Sequence, residues 1–154
     1  METFLNEMVS GLPSGEQAFR VFIRLLAATL LGAVVGYERE RTGKSAGLRT
    51  HMLVAVSSAM FVLAPLEAGM SASDVSRIIQ GIATGIGFIG AGAILKVTSD
   101  REIQGLTTAA GIWLTAAVGL AAGLGRLGLA AIGVALAWII LYIVARTEQD
   151  IPTS

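Results

Sequence analysis

Glu38, Arg39, Glu40, Arg41, Lys44, Arg49, Thr50 and His51 fall within fourteen consecutive positions, the densest polar stretch of the chain. A second stretch, Ser99 to Thr108, adds Asp100, Arg101, Glu102, Gln104, Thr107 and Thr108. The carboxylates of Glu38, Glu40, Asp100 and Glu102 are oxygen ligands of the kind that suits a Mg2+ ion retaining several waters. Four acids in two loops are equally what solvated loops contain. Arg49 and His51 raise a sharper question, because they stand one turn into an otherwise apolar run. An ionised group at the bilayer centre costs about 2.5 to 3.5 kcal/mol on insertion scales, whereas one near a helix end reaches back to the interface. Either Arg49 is interfacial and sets topology, or Arg49 and His51 face Glu38 in a buried polar cluster at the inner mouth of a bundle. Ser99 and Glu102 have capping-box spacing, and Thr107 and Thr108 can bond across helices or to their own carbonyls. The chain has no cysteine and no HExxH, and His51 lacks an evident Ser and Asp pairing. No enzyme is expected, and no cofactor other than the Mg2+ these oxygens would suit.

Gly85-Ile86-Gly87-Phe88-Ile89-Gly90 matches G-x-G-x-x-G, the pattern that cradles a dinucleotide pyrophosphate. That fingerprint needs a strand before it and an acid about 20 positions on. Here the next acid, Asp100, lies in a polar loop. Read at 100° per residue, Gly81, Gly85 and Gly92 share one face of a helix, with Gly87 and Gly90 roughly opposite. Small residues let helices approach closely, so glycines on both sides predict a central third helix contacted on each flank. Gly32-x-x-x-Gly36 and Gly119-x-x-x-Gly123 repeat the small-residue spacing. These seams can lie within one chain or between protomers, and a unit this small is expected to form a homodimer.

The elements that must position these residues follow from composition. Hydrophobic residues make up 54% of 154 positions and charged ones 14%, with a mean hydropathy of +0.73, which points to a membrane as solvent. Eleven basic and eleven acidic side chains give no net field for nucleic acid. Phe4, Leu5, Met8, Val9 and Leu12 form a narrow stripe, predicting a surface amphipathic helix over 1–13. The acidic, polar start argues against a cleaved leader. Ser14 and Gln17 have capping-box spacing at the next helix start. Five runs approach the roughly 20 residues a span requires: Ala18 to Gly36, Leu48 to Leu66, Ile78 to Leu95, Leu106 to Leu124, and Leu127 to Ala145. The expected fold is an all-α transmembrane domain over 14–146, with a short cytoplasmic tail over 147–154. Ser71 to Asp74 should cap the third helix, with Arg77 and Gln80 a turn further in. Seven Lys and Arg residues on one side, against four on the other, predict an outside N-terminus and a cytoplasmic C-terminus. Shifting the sequence by 58 positions lays Gly32-Ala33 over Gly90-Ala91, Gly47-Leu48 over Gly105-Leu106, and Thr50 over Thr108. That offset predicts two parallel hairpins followed by a fifth helix.

Gly36-Tyr37-Glu38-Arg39-Glu40, Ala46 to His51, Gly85 to Gly92 and Gly105 to Trp113 together resemble the MgtC/SapB family of bacterial inner-membrane proteins, from about Arg24 to Gly125. The resemblance implies a multi-span membrane domain associated with growth at low Mg2+ and, in pathogens, with survival inside host cells. It does not imply that members move Mg2+ themselves. Regulation of membrane partners, such as ion-motive or proton-driven ATPases, is what it suggests. The motif positions carried over are Glu38, Arg39, Gly47, Arg49, Thr50, His51, Gly87, Gly90, Gly92, Gly105, Thr107 and Thr108. Longer members carry a soluble C-terminal domain resembling ACT modules, whereas this sequence stops at Ser154. Some virulence-associated members have Asn where this chain has Thr107. A small ion or solute transporter, with its polar site at the repeat interface, is the competing expectation.

Overall fold

Ser14 opens the first helix as its spacing predicts: its hydroxyl accepts from the Gln17 amide, while the Gln17 side chain accepts from the Ser14 amide. Helix α1 spans Gly15–Arg41, followed by α2 at Leu48–Glu67 and α3 at Ala72–Gly92. Helix α4 spans Leu106–Gly123, and α5 spans Leu127–Ile139, continuing as a π-helix over Ile140–Val144. Ser71 caps α3 by accepting from the Asp74 amide. The structure, a computed structural model, describes Met1, residues 14–96 and residues 103–144. The amphipathic helix expected over 1–13, Ser99 to Glu102 with Asp100, and the tail over 147–154 lie outside the described residues.

The chain is an all-α membrane protein; its described residues form five helices, four of them long and apolar enough to cross a bilayer. One small element was not expected. Leu95–Lys96 (β1) pairs antiparallel with Ile103–Gln104 (β2), Leu95 opposite Gln104 and Lys96 opposite Ile103. Gly105 closes this hairpin onto α4 with φ at +96°, where a Cβ would overlap the Ala93 carbonyl oxygen. Glycine alone meets both demands.

The predicted central position of the third helix is overturned. Helix α4 holds the centre and touches each of the other four helices. Buried residues make up 61% of its length, against 17% of the apolar window of α3. Only Val75, Ile86 and Gly90 of α3 are buried, and Gly81, Gly85, Gly87 and Gly92 have open space where a Cβ would stand. The reason lies in what a centre requires. Half of α4 is Ala or Gly, distributed around the whole helix, so neighbours can approach from every side. Helix α3 has more glycines, five against three, but Ala and Gly together make up only eight of its 21 residues.

Close approach is instead built on the other two seams. Gly32 lies against Ala55 and the His51 carbonyl, Gly36 against Leu48 and His51, Gly119 against the Ala55 backbone, and Gly123 against Ala59 and Val62. Helix α2 is therefore gripped by α1 on one side and α4 on the other, with Ala28, Ala55, Ala59, Val118 and Ala122 in the core between them. Arg24 of α1 donates to the Gly123 carbonyl at 3.2 Å, placing a cation at the α4 C-terminus.

The 58-residue offset reappears in the geometry. Helices α2 and α4 begin at Leu48 and Leu106, each preceded by a glycine N-cap. Gly32 faces His51, and its counterpart Gly90 faces Ala109, the counterpart of His51. The second crossing is looser: a Cβ at Gly32 would stand 2.7 Å from its nearest neighbour, whereas one at Gly90 would stand at 3.6 Å.

Candidate functional site

The last turns of α1 carry Glu38 and Arg39 inward, at a point where Gly36 allows α2 to approach. Adjacent helix residues point about 100° apart and seldom meet. Here the Arg39 Nε donates to Glu38 Oε2 at 2.5 Å, with 4% and 7% of the two side chains exposed. Removing both groups from water is costly, and the pair is retained only because each neutralises the other. Thr42 finishes α1 by donating its hydroxyl to the Glu38 carbonyl at 2.9 Å.

Glu40, on the outer side of the same turn, does different work. Its Oε2 accepts from the Leu48 amide at 2.7 Å, capping α2 from the helix before it. The N-cap residue itself is Gly47, which has no side chain to serve. A Cβ at Gly47 would stand 2.7 Å from that Glu40 oxygen, so the glycine and the acid are one device.

His51 lies fully buried in the first turns of α2, between two glycines of neighbouring helices. A Cβ at Gly36 would stand 2.9 Å from His51 Cβ, and one at Gly111 of α4 would stand 3.5 Å from His51 Nε2. The Nδ1 atom donates to the Gly47 carbonyl at 3.0 Å, since a carbonyl can only accept. In the neutral ring Nε2 is then a bare acceptor, buried and without a hydrogen-bond partner among the described residues. Thr108, also buried, stands one turn before Gly111 on α4.

Of the residues the sequence singled out, Glu38, Arg39, His51 and Thr108 are buried at this end of the bundle. Arg49 is not among them. Two positions along a helix turn the side chain by about 200°, so when His51 points in, Arg49 points out and is exposed. Thr50 is half-buried, while Gln104 and Thr107 are exposed. Among the described residues, no three His, Asp or Glu side chains converge as a metal site. Glu38 is engaged by Arg39 and Glu40 by the Leu48 amide, and Asp100 and Glu102 lie outside the described residues. Sequence reasoning missed the Glu40 cap, Gly111 as the wall beside the imidazole, and Arg24 at the α4 C-terminus. The eight-residue separation of Glu40 from Leu48 matches no local capping pattern.

A profile of the MgtC family matches residues 25–150. The chain is 46% identical over 133 residues to Protein SrpB of Synechococcus elongatus, covering 79% of this chain and 72% of that protein. It is 41% identical over 126 residues to "Putative magnesium transporter YhiD" of Escherichia coli K12, covering 77% of this chain and 58% of the relative. It is 43% identical over 108 residues to Protein MgtC of Salmonella typhimurium, covering 70% of this chain and 45% of the relative. The match therefore spans about half the length of the last two. No solved structure matches the chain.

Proposed function

The chain belongs to the MgtC family, and from that premise we propose that it is a non-enzymatic protein of the bacterial inner membrane that supports Mg2+ homeostasis by regulating other membrane proteins. Ion-motive or proton-driven ATPases are the partner class. The names of YhiD and MgtC relatives support the link to Mg2+ handling. The observation that carries the regulatory reading is the outward face of α3. Thr84, Gly87, Phe88 and Ala91 lie there at helical spacing, all exposed, with Phe88 86% exposed. A projecting aromatic beside a glycine notch is a shape that another transmembrane helix can clasp. Self-association through this face, as a homodimer, belongs to the same proposal. The N-terminus is outside and the C-terminus cytoplasmic.

The test is growth at limiting Mg2+ of a strain lacking the gene, complemented by the wild type or by Gly87→Leu with Phe88→Ala. Open space at Gly87 lets the variant fold, so lost complementation by a folded protein supports docking. Full complementation sinks it. A photo-crosslinker placed at Phe88 would identify the partner, and a reporter fused after Ser154 would check orientation.

The second reading, a small ion or solute transporter, is favoured by the buried Glu38, Arg39 and His51 group, since ionisable residues within a membrane domain usually serve function. Mg2+ and monovalent-ion flux into liposomes, with His51→Ala beside the wild type, separates the two. Flux that needs His51 favours transport; no flux from folded protein favours regulation.

A further inference from the structure

We infer that the groove between α2 and α3 binds one acidic phospholipid, with a hydrocarbon tail along the groove and the phosphate on Arg49. The groove encloses about 590 Å³ and is lined by Leu53, Ser57 and Phe61 from α2 and by Gly81, Gly85 and Ile89 from α3. It runs along the bundle because a Cβ at Gly81 or Gly85 would meet no other group within 4 Å, leaving a trough where side chains would otherwise meet.

Its length and lining decide what fits. The α3 wall extends from Ile78 to Ile89, about 17 Å at 1.5 Å per residue, room for a hydrocarbon chain to lie along it. The walls are almost wholly apolar, so the occupant within the groove needs no hydrogen-bond partners there.

Charge at the mouths decides the headgroup. Arg49 stands one turn before Leu53 on the same face of α2, exposed, with no hydrogen bond or ion pair to any described residue. Exposed Arg41 and Lys44 lie at the same end of the bundle, where, among the described residues, Glu38 is committed to Arg39 and Glu40 to the Leu48 amide. The other mouth has Arg77, but Asp74 and Glu67 stand at that end and cancel it. An arginine unpaired among the described residues, above an apolar trough, matches the two halves of an anionic lipid.

The experiment is native mass spectrometry of the full chain in neutral detergent, with added dioleoyl phosphatidylglycerol or dioleoyl phosphatidylcholine. The wild type should retain one lipid per chain and prefer phosphatidylglycerol about five-fold, the effect of one arginine near an anionic headgroup. Gly85→Leu should lose both lipids while keeping its helicity and thermal midpoint, because the new side chain enters open space. Gly81→Leu should behave alike, guarding against a defect peculiar to one variant. Arg49→Gln should retain lipid but lose the headgroup preference. Equal binding of the two lipids by the wild type, undiminished lipid on both folded leucine variants, an unchanged preference in Arg49→Gln, or a dimer carrying no lipid that the leucine variants abolish would each overturn the assignment.

Discussion

Gly119 of α4 rests on the backbone of Ala55 in α2, so closely that a methyl group at Gly119 would overlap the Ala55 carbonyl oxygen. Gly32 of α1 meets the same alanine from the other side, where a Cβ would stand 2.7 Å from Ala55 Cβ. A single alanine of α2 is thus held between two helices, its methyl against one and its backbone against the other.

Gly119→Ala should therefore separate α2 from α4, costing about 1–3 kcal/mol or more through overpacking. The thermal midpoint of the detergent-solubilised protein would show it. Gly85→Ala, with open space around it, should be neutral or slightly stabilising, because alanine is the better helix former. Equal effects at the two positions would refute the difference between a packed and an open glycine.

Arg39→Met should leave the Glu38 carboxylate buried and unpaired, a loss of about 3–5 kcal/mol. The double variant Glu38→Gln with Arg39→Met should recover much of that loss, since no bare charge remains. A double-mutant cycle on thermal or denaturant stability measures the coupling, and additive losses would show that the pair is not one unit.

Glu40→Ala should free the first amides of α2 and cost about 0.5–2 kcal/mol, the range of a lost N-cap. Glu40→Gln keeps an acceptor but not the charge facing the helix N-terminus, so it should fall between the two. Hydrogen exchange at Leu48 reads this directly: it should accelerate in Glu40→Ala, while exchange in the middle of α2 should change little.

Arg24→Ala should loosen the far end of α4 by removing its donor to the Gly123 carbonyl, a charge-assisted bond worth about 1.5–3 kcal/mol. Arg24→Lys should restore part of this, because it keeps the cation and loses the fork. Exchange or proteolysis near Gly125 is the local readout. An alanine variant as protected as the wild type would show that the contact is incidental.

Much of the fold was legible because several helix starts are written in local sequence. Ser14 with Gln17 and Ser71 with Asp74 carry their caps within four residues, and Leu48 and Leu106 follow glycines at matching places in the repeat. The arrangement of the helices was harder to read. In a soluble protein an apolar stripe marks the buried face, but beside lipid Phe88 is as apolar as Ile112, though one is exposed and the other enclosed. Glycine count consequently drew attention to α3, when the distribution of Ala and Gly around α4 was the better signal. At the site, His51 and Arg49 were both visible as unusual. Which one turned inward depended on the rotation of α2, and that is fixed by Gly32, Gly36 and Gly111 on other helices.

The central place of α4 also constrains the order of assembly. A ribosome delivers α1, α2 and α3 to the membrane before the helix they surround, so the first hairpin can zip along Gly32 and Gly36 while the opposite flank of Ala55 still faces lipid. Helix α3 has few contacts of its own with that hairpin and must wait beside it. Insertion of α4 then joins the three earlier helices at once. A nascent chain arrested before Leu106 is a half-built bundle, its Ala55 flank still without the helix that closes it.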